Sequence, residues 1–172
     1  MKKQTRQKNG IPTLTTPKVV SNTGPIIALA QISQLDILRK IFGQILIPSA
    51  VQAEIQDEIS LVAVSKSDWI VLSEVKDKLA VQVLREELDA GESEAIILAK
   101  ENNAKLICLD ERAATRKARV IGLQSIGTLG ILLIAKENKL IKNIKPLLDD
   151  LQKAGFHMSD ALYNQVLRSV NE

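Results

Sequence analysis

The segment KVVSNTGPIIALAQI, residues 18–32, joins two short apolar runs through the polar hinge Ser-Asn-Thr-Gly-Pro. Such a pattern predicts a strand, a tight turn and a helix, and Pro25 suits the first turn of that helix. Ligands of α/β proteins bind beyond the carboxyl ends of parallel strands. Asn22 therefore occupies a position where chemistry is expected, although a hydrolase more usually has a carboxylate there.

The alternation of apolar strand and helix continues along the rest of the chain. Further strands are predicted within QILI, DWIVLSEV, AKLICLD and LQSI, with LQSI as a short edge strand. Helices are predicted between them, including one over PSAVQAEIQDEI, and two more around Gly155. This order predicts a three-layer α/β/α fold with a central, mostly parallel sheet.

We expect residues 18–172 to form a single domain that includes the C-terminal helices, at about 144–170. The apolar residues of those helices are consistent either with the core or with an interaction surface. Residues 1–17 are predicted to be a basic, flexible leader, because residues 1–18 contain five basic and no acidic residues. The leader either contacts a nucleic-acid backbone or an acidic partner, or only improves solubility.

Composition excludes several classes of protein. No apolar run approaches the roughly 18 residues of a membrane span, and no signal peptide is recognisable. Cys108 is the only cysteine, so an internal disulfide is excluded and a reducing, cytoplasmic location is expected. We interpret its place in an apolar strand as that of a buried, unreactive thiol.

Four polar residues are predicted to meet at the carboxyl edge of the sheet. Asn22 and Asp110 each follow a strand, Glu92 opens a helix, and Glu54 lies one turn into another helix. Carboxylates that are brought together repel one another unless a cation joins them. Mg²⁺ or Mn²⁺, which prefer oxygen ligands, would suit such a group. The alternative is that each acid only caps a helix or interacts with its dipole.

Five segments, in this order, carry a resemblance to a known family: VVSNTGPIIALAQISQLDIL, IPSAVQAEI, LDAGESEAIILAKE, AKLICLDERAATRKARVIG and SIGTLGILLIAKENKLI. Together they resemble the PIN-domain family, above all a prokaryotic branch with Gly-Glu-x-Glu-Ala-Ile and Leu-Asp-Glu-Arg segments. The resemblance implies a PIN-like fold and a Mg²⁺- or Mn²⁺-dependent ribonuclease, often the toxin of a toxin–antitoxin pair. It also implies RNA as substrate, a homodimer and a small antitoxin protein as partner.

The resemblance also assigns the metal-binding and catalytic positions, which are Asn22, Glu54, Glu92 and Asp110 in this sequence. Asn22 is a departure, because the family usually has an aspartate there. An amide offers a carbonyl oxygen without charge, so the affinity for a cation should fall. Asn22 is therefore either an auxiliary ligand of a working site or a sign that catalysis has been lost.

Other polar residues near these positions are assigned supporting roles. Thr23 is expected to bind and orient a neighbouring carboxylate or to contact substrate, and Arg112 and Arg116 to bind RNA phosphate. Glu94 is expected to face away from Glu92, because it lies two residues further along the helix. His157, the only histidine, has no catalytic motif around it and is predicted to be a surface or loop residue.

The leading hypothesis is therefore a metal-dependent endoribonuclease of toxin type. One alternative is a catalytically weakened PIN-like protein that binds nucleic acid or has a regulatory role. Another is an interaction module that uses the C-terminal helices. The chain has only four aromatic residues, so RNA contacts are expected to be mainly electrostatic.

Overall fold

A computed structural model of the protein describes residues 18–172, and the predicted leader, residues 1–17, lies outside them. Five strands form one sheet with the order β3-β2-β1-β4-β5, and all neighbouring strands are parallel. Their bounds are β1 Val19–Ser21, β2 Ile45–Ile47, β3 Ile70–Leu72, β4 Leu106–Cys108 and β5 Gln124–Ile126. The predicted sheet is confirmed, and within residues 18–172 it is wholly parallel.

Ten helices are present in this part of the chain. They are α1 Thr23–Gln31, α2 Asp36–Phe42, α3 Ser49–Glu54, α4 Glu58–Ser65, α5 Lys78–Leu84, α6 Ala90–Glu101, α7 Arg112–Val120, α8 Thr128–Glu137, α9 Lys145–Lys153 and α10 Asp160–Ser169. Helix α6 packs on β1 and β4, beside α3, α5 and α7, whereas α1 contacts α4, α8 and α9. The expected three-layer α/β/α fold is confirmed. None of these helices is both long and apolar enough to cross a membrane.

The three inner strands, β2, β1 and β4, are largely buried, which explains their nearly continuous apolar sequences. Val20 of β1 pairs with Ile107 of β4, and both side chains are fully buried. The outer strands differ, since Leu72 in β3 and Gln124 in β5 are exposed. Burial of apolar surface therefore places β1 at the centre of the sheet, with β2 and β4 on either side of it.

The order of the strands creates a crevice between β1 and β4. From β1 the chain proceeds to β2 and β3 on one side, and β4 then pairs with the other side of β1. The Asn22 amide nitrogen donates to the Cys108 carbonyl oxygen at 3.0 Å, which extends the pairing beyond β1. Open parallel sheets bind ligands at such a reversal of strand order.

The single helix predicted over PSAVQAEIQDEI is wrong. Helix α3 ends at Glu54, and Ile55 is extended, with its side chain buried. Asp57 then caps α4, since its carboxylate accepts a hydrogen bond from the Ser60 amide nitrogen at 2.9 Å. A local cap and the burial of one apolar side chain thus outweigh the helical pattern. As a result, Glu54 lies at the end of a helix.

The C-terminal segment folds as two helices around Gly155, as predicted. Leu148 and Leu151 of α9 are fully buried, and Val166 and Leu167 of α10 are largely buried, so most of the apolar face belongs to the core. Gly155 ends α9 with φ +91°, and the next amide nitrogen, of Phe156, donates to the Leu151 carbonyl oxygen at 2.9 Å. These contacts form a Schellman turn. The turn fixes the position of Phe156 and of the residue after it.

We expect Gly155→Ala to lower the free energy of unfolding by about 1–2 kcal/mol, because an L side chain is strained at this backbone angle. Gly155→Asn should lower it less, because asparagine tolerates a positive φ better. Urea denaturation of the two variants and the parent would measure both differences. Equal stability of Gly155→Ala and the parent would contradict the assignment of the turn.

Candidate active site

Asn22 follows β1 and lies in the crevice between β1 and β4. It is the residue before α1, and only 6% of its surface is exposed. Its side-chain oxygen Oδ1 is buried and has no hydrogen-bond partner among residues 18–172. Buried polar atoms normally have a partner, and an orphaned one is costly. A buried oxygen without a donor is thus available to a ligand at this position.

Asp110 lies two residues beyond β4, on the other side of the same crevice. Thr128, at the start of α8, donates from its amide nitrogen to Oδ1 and from its hydroxyl to Oδ2, both at 2.7 Å. Two glycines make room for the carboxylate: a Cβ on Gly127 would lie 2.8 Å from Oδ1, and one on Gly24 would lie 3.2 Å from Oδ2. The starts of α1 and α8 therefore enclose Asp110.

The pKa of the Asp110 carboxyl is raised, mainly because burial disfavours its charged form. The two hydrogen bonds from Thr128 act in the opposite direction, and the negative charge of Glu111 adds to the increase. A nearby positive charge would therefore stabilise the ionised form of Asp110.

The carboxylate of Glu54 accepts hydrogen bonds from the starts of two other helices, α1 and α6. The Thr23 hydroxyl donates to Oε2, and the Gly91 amide nitrogen donates to Oε1 at 2.8 Å. A Cβ on Gly91 would lie only 2.3 Å from Oε2, so no other residue type fits there unless Glu54 moves. The expected contact of Thr23 with a carboxylate is therefore present, and it connects Glu54 to the turn after β1.

Glu92 has a structural role that the sequence left as an alternative. It forms a capping box with Asp89: its amide nitrogen donates to Asp89 Oδ1 at 2.7 Å, and its carboxylate accepts from the Asp89 amide nitrogen at 3.2 Å. Burial is the main cause that raises the pKa of Glu92, and the charges of Asp89, Glu111 and Glu54 add to it. The carboxylate of Glu94, two residues further along α6, accepts a hydrogen bond from the Ala50 amide nitrogen of α3 at 3.0 Å.

The predicted residues share one edge of the sheet, but the acids do not form a compact cluster. Within residues 18–172, no three histidine, cysteine, aspartate or glutamate side chains are arranged to hold a metal ion. Asn22 and Asp110 flank the crevice, and Glu54 is connected to them through Thr23. Oxygen donors alone, together with the orphaned oxygen of Asn22, fit a hard divalent cation.

A cavity of about 680 Å³ opens beside Asp110. The start of α7 contributes Glu111, Arg112 and Arg116 to its wall. Phe156 and His157, from the turn between α9 and α10, line it as well. The two arginines expected to bind phosphate therefore lie in the same cavity as Asp110.

The family model that is described as a PIN domain (DUF3368) matches residues 18–172. The chain belongs to the PIN-domain family. No protein with a curated description matches it. This PIN domain has a nuclease-type fold, and proteins of the family generally use divalent metals. The family thus agrees with the resemblance that the sequence motifs carry.

Several residues of the site were not identified from the sequence. Thr128, Gly91 and Phe156 contribute through long-range contacts, and no local pattern connects them with Asp110 or Glu54. His157 is exposed and lies in a loop, as predicted, but its place in the wall of the cavity was missed. The one available signal was the Gly127-Thr128 pair at the start of α8, because residues that follow β5 lie at the same edge of the sheet as Asp110.

We expect Asp110→Asn to be at least as stable as the parent at pH 7. The pKa of Asp110 is raised in the folded state, so the folded protein binds the proton more tightly and its ionised carboxylate lowers stability above that pKa. The advantage of the variant should shrink as the pH falls through the Asp110 pKa, because the carboxyl then becomes neutral. Thermal unfolding in EDTA from pH 4 to 8 measures this.

Asp68→Asn is the matched control for this titration, since Asp68 is an exposed aspartate that follows the end of α4, outside the crevice. The control should follow the parent at every pH. If the stability of Asp110→Asn relative to the parent increased towards low pH, the raised pKa of Asp110 would be contradicted.

Gly91→Ala should displace Glu54 and lower the free energy of unfolding by about 1–3 kcal/mol, because two hydrogen bonds to a carboxylate are lost. Helix propensity alone would favour alanine by about 1 kcal/mol. In a Glu54→Ala background the same change should no longer destabilise. A double-mutant cycle of Gly91→Ala and Glu54→Ala, followed by urea denaturation, measures the coupling between the two residues. Additive changes in the free energy of unfolding would contradict that coupling.

Proposed function

We propose that this PIN domain is a metal-dependent endoribonuclease that hydrolyses RNA phosphodiesters. One observation carries the proposal: the buried, unpartnered Oδ1 of Asn22 and the carboxylate of Asp110 flank the crevice between β1 and β4. A carboxylate with a raised pKa beside an orphaned oxygen favours the binding of a cation. The adjoining cavity, with Arg112 and Arg116, suits an anionic substrate.

Asn22 and Asp110 would hold Mg²⁺ or Mn²⁺, with Glu54 and Glu92 as the further oxygen donors. Such an ion, when bound, supplies an activated water and positive charge for the phosphoryl oxygens. Thr128 keeps Asp110 in place through two hydrogen bonds, and Thr23 and Gly91 do the same for Glu54. These hydrogen bonds orient the carboxylates of Asp110 and Glu54, whereas Glu92 would have to leave its bond to the Asp89 amide nitrogen to act as a ligand.

Arg112 and Arg116 would hold the phosphate next to the scissile bond. Both lie on the first turns of α7, and a guanidinium can bind two phosphate oxygens at once. Helix α7 also contains Lys117 and Arg119, so its basic residues continue beyond the cavity. RNA binding should accordingly weaken as the salt concentration rises.

The role as the toxin of a toxin–antitoxin pair, with a homodimer and a small antitoxin partner, rests on the family resemblance. Exposed apolar side chains on two helices, Ile59 and Val62 on α4 and Leu79 and Val83 on α5, would favour protein partners. The prokaryotic branch and the cytoplasmic location stay predictions of the sequence.

A second candidate function is RNA binding without cleavage. Asn22 has no charge, and the acids of residues 18–172 do not form a group of three. Both observations favour a weaker metal site than one with an aspartate at position 22. In this case the crevice would still bind RNA through Arg112 and Arg116.

The deciding experiment is cleavage of labelled RNA in Mn²⁺ and in Mg²⁺ by the parent, Asp110→Asn and Asn22→Asp. We expect metal-dependent cleavage by the parent that falls at least about a hundredfold in Asp110→Asn, because a preorganised charge is removed. Thermal unfolding with and without Mn²⁺ is a second measurement, since a ligand of the folded state raises its stability.

Cleavage by Asn22→Asp alone would support the second candidate and show that the amide disables the site. No cleavage by any of the three proteins, with no stabilisation by Mn²⁺, would contradict the nuclease proposal. Asp68→Asn serves again as the control, because it removes one exposed carboxylate away from the crevice.

A further inference from the structure

A second, smaller cavity of about 250 Å³ lies next to the first. One side is formed by residues of α1 at helical spacing, among them Thr23, Ile27 and Gln31. The other side is formed by the end of α9 and by Phe156. Most of these side chains are apolar, so this cavity differs chemically from the charged one beside Asp110.

The two cavities share part of their walls. Gly24 and Gly155 line both, and so does Phe156. Neither glycine has a side chain that could separate the cavities. Gly24 also lies directly against Asp110, since a Cβ added to Gly24 would be 3.2 Å from Asp110 Oδ2. The two cavities therefore adjoin along Gly24, Gly155 and Phe156.

The pair of cavities matches the two chemical parts of a nucleotide. Arg112 and Arg116 suit a phosphate, whereas a half-buried aromatic ring beside Ile27 suits the face of a base. Unpaired RNA bases are commonly bound by stacking on aromatic side chains. The Gln31 amide, held by a hydrogen bond from its nitrogen to Asp57 Oδ1 at 2.7 Å, adds a polar group to this wall.

We propose that the apolar cavity is a subsite for an unpaired RNA base next to the bound phosphate, with Phe156 as its stacking platform. The inference rests on the proposed function, because it takes the cavity beside Asp110 as the phosphate site. The Schellman turn fixes the backbone of Phe156 before RNA binds, through Gly155 and the hydrogen bond to Leu151. A preorganised platform loses little conformational entropy on binding.

The test is the binding of a short RNA that contains one 2-aminopurine, measured by fluorescence in EDTA so that no cleavage is needed. The parent and Phe156→Tyr should quench the fluorescence of the stacked base. Phe156→Leu should abolish the quenching and weaken binding at least about fivefold, which corresponds to the lower limit for stacking of one base. Leucine keeps the apolar contact of the turn, so this variant is expected to fold.

A matched RNA with an abasic site in place of 2-aminopurine separates base stacking from general packing. Removal of the base should weaken binding to the parent but not to Phe156→Leu. Phe42→Leu makes the same change on α2, away from both cavities, and should behave like the parent.

If Phe156→Leu quenched the fluorescence and bound the RNA as the parent does, the base subsite would be overturned. The side chain of a protein partner would then be the alternative occupant of the apolar cavity. Absence of RNA binding by the parent would overturn both the subsite and the proposed function. Quenching that depends on Phe156, in a protein that does not cleave RNA, would support the subsite and overturn only the nuclease proposal.

Discussion

The parallel pairing of β1 with β4 is the constraint on which the rest of the structure depends. It brings together two segments that lie far apart in the sequence, and it leaves Asn22 and Asp110 on the two sides of one crevice. Val20 and Ile107 stabilise the pair because both are fully buried. The free energy that holds the site together therefore comes largely from apolar contacts beneath it, not from the polar groups themselves.

Glycines at the starts of helices let the backbone approach the carboxylates. Gly91 admits Glu54, while Gly24 and Gly127 leave room for Asp110. Backbone amides and hydroxyls then bond the acids, which partly offsets the cost of burying their charge. The raised pKa of Asp110 shows that this compensation is incomplete. The remaining cost of burying these charges favours a positively charged ligand. Without such a ligand, the uncharged amide of Asn22 gives less repulsion with Asp110 than an aspartate at position 22 would give.

The turn between α9 and α10 connects the C-terminal helices to the site. Leu148 and Leu151 anchor α9 in the core, and Gly155 then turns the chain so that Phe156 and His157 reach the cavity beside Asp110. The apolar face of these helices thus supports the fold, as one of the two interpretations of the sequence held. The same packing also completes the wall of the candidate active site.

The sequence by itself determined the alternation of strands and helices, the parallel sheet and the family, because apolar periodicity and local motifs report local structure. It also placed Asn22 and Asp110 at one edge of the sheet, since residues that follow neighbouring parallel strands lie at the same edge. Only the tertiary structure decided that Glu92 caps its own helix, that Thr128 holds Asp110, and that α3 ends at Glu54. Thr128 and Asp110 lie far apart in the sequence, so no local signal connects them. The caps of α4 and α6 are local motifs, but the sequence alone does not decide whether such an acid caps a helix, binds a metal or lies within a longer helix.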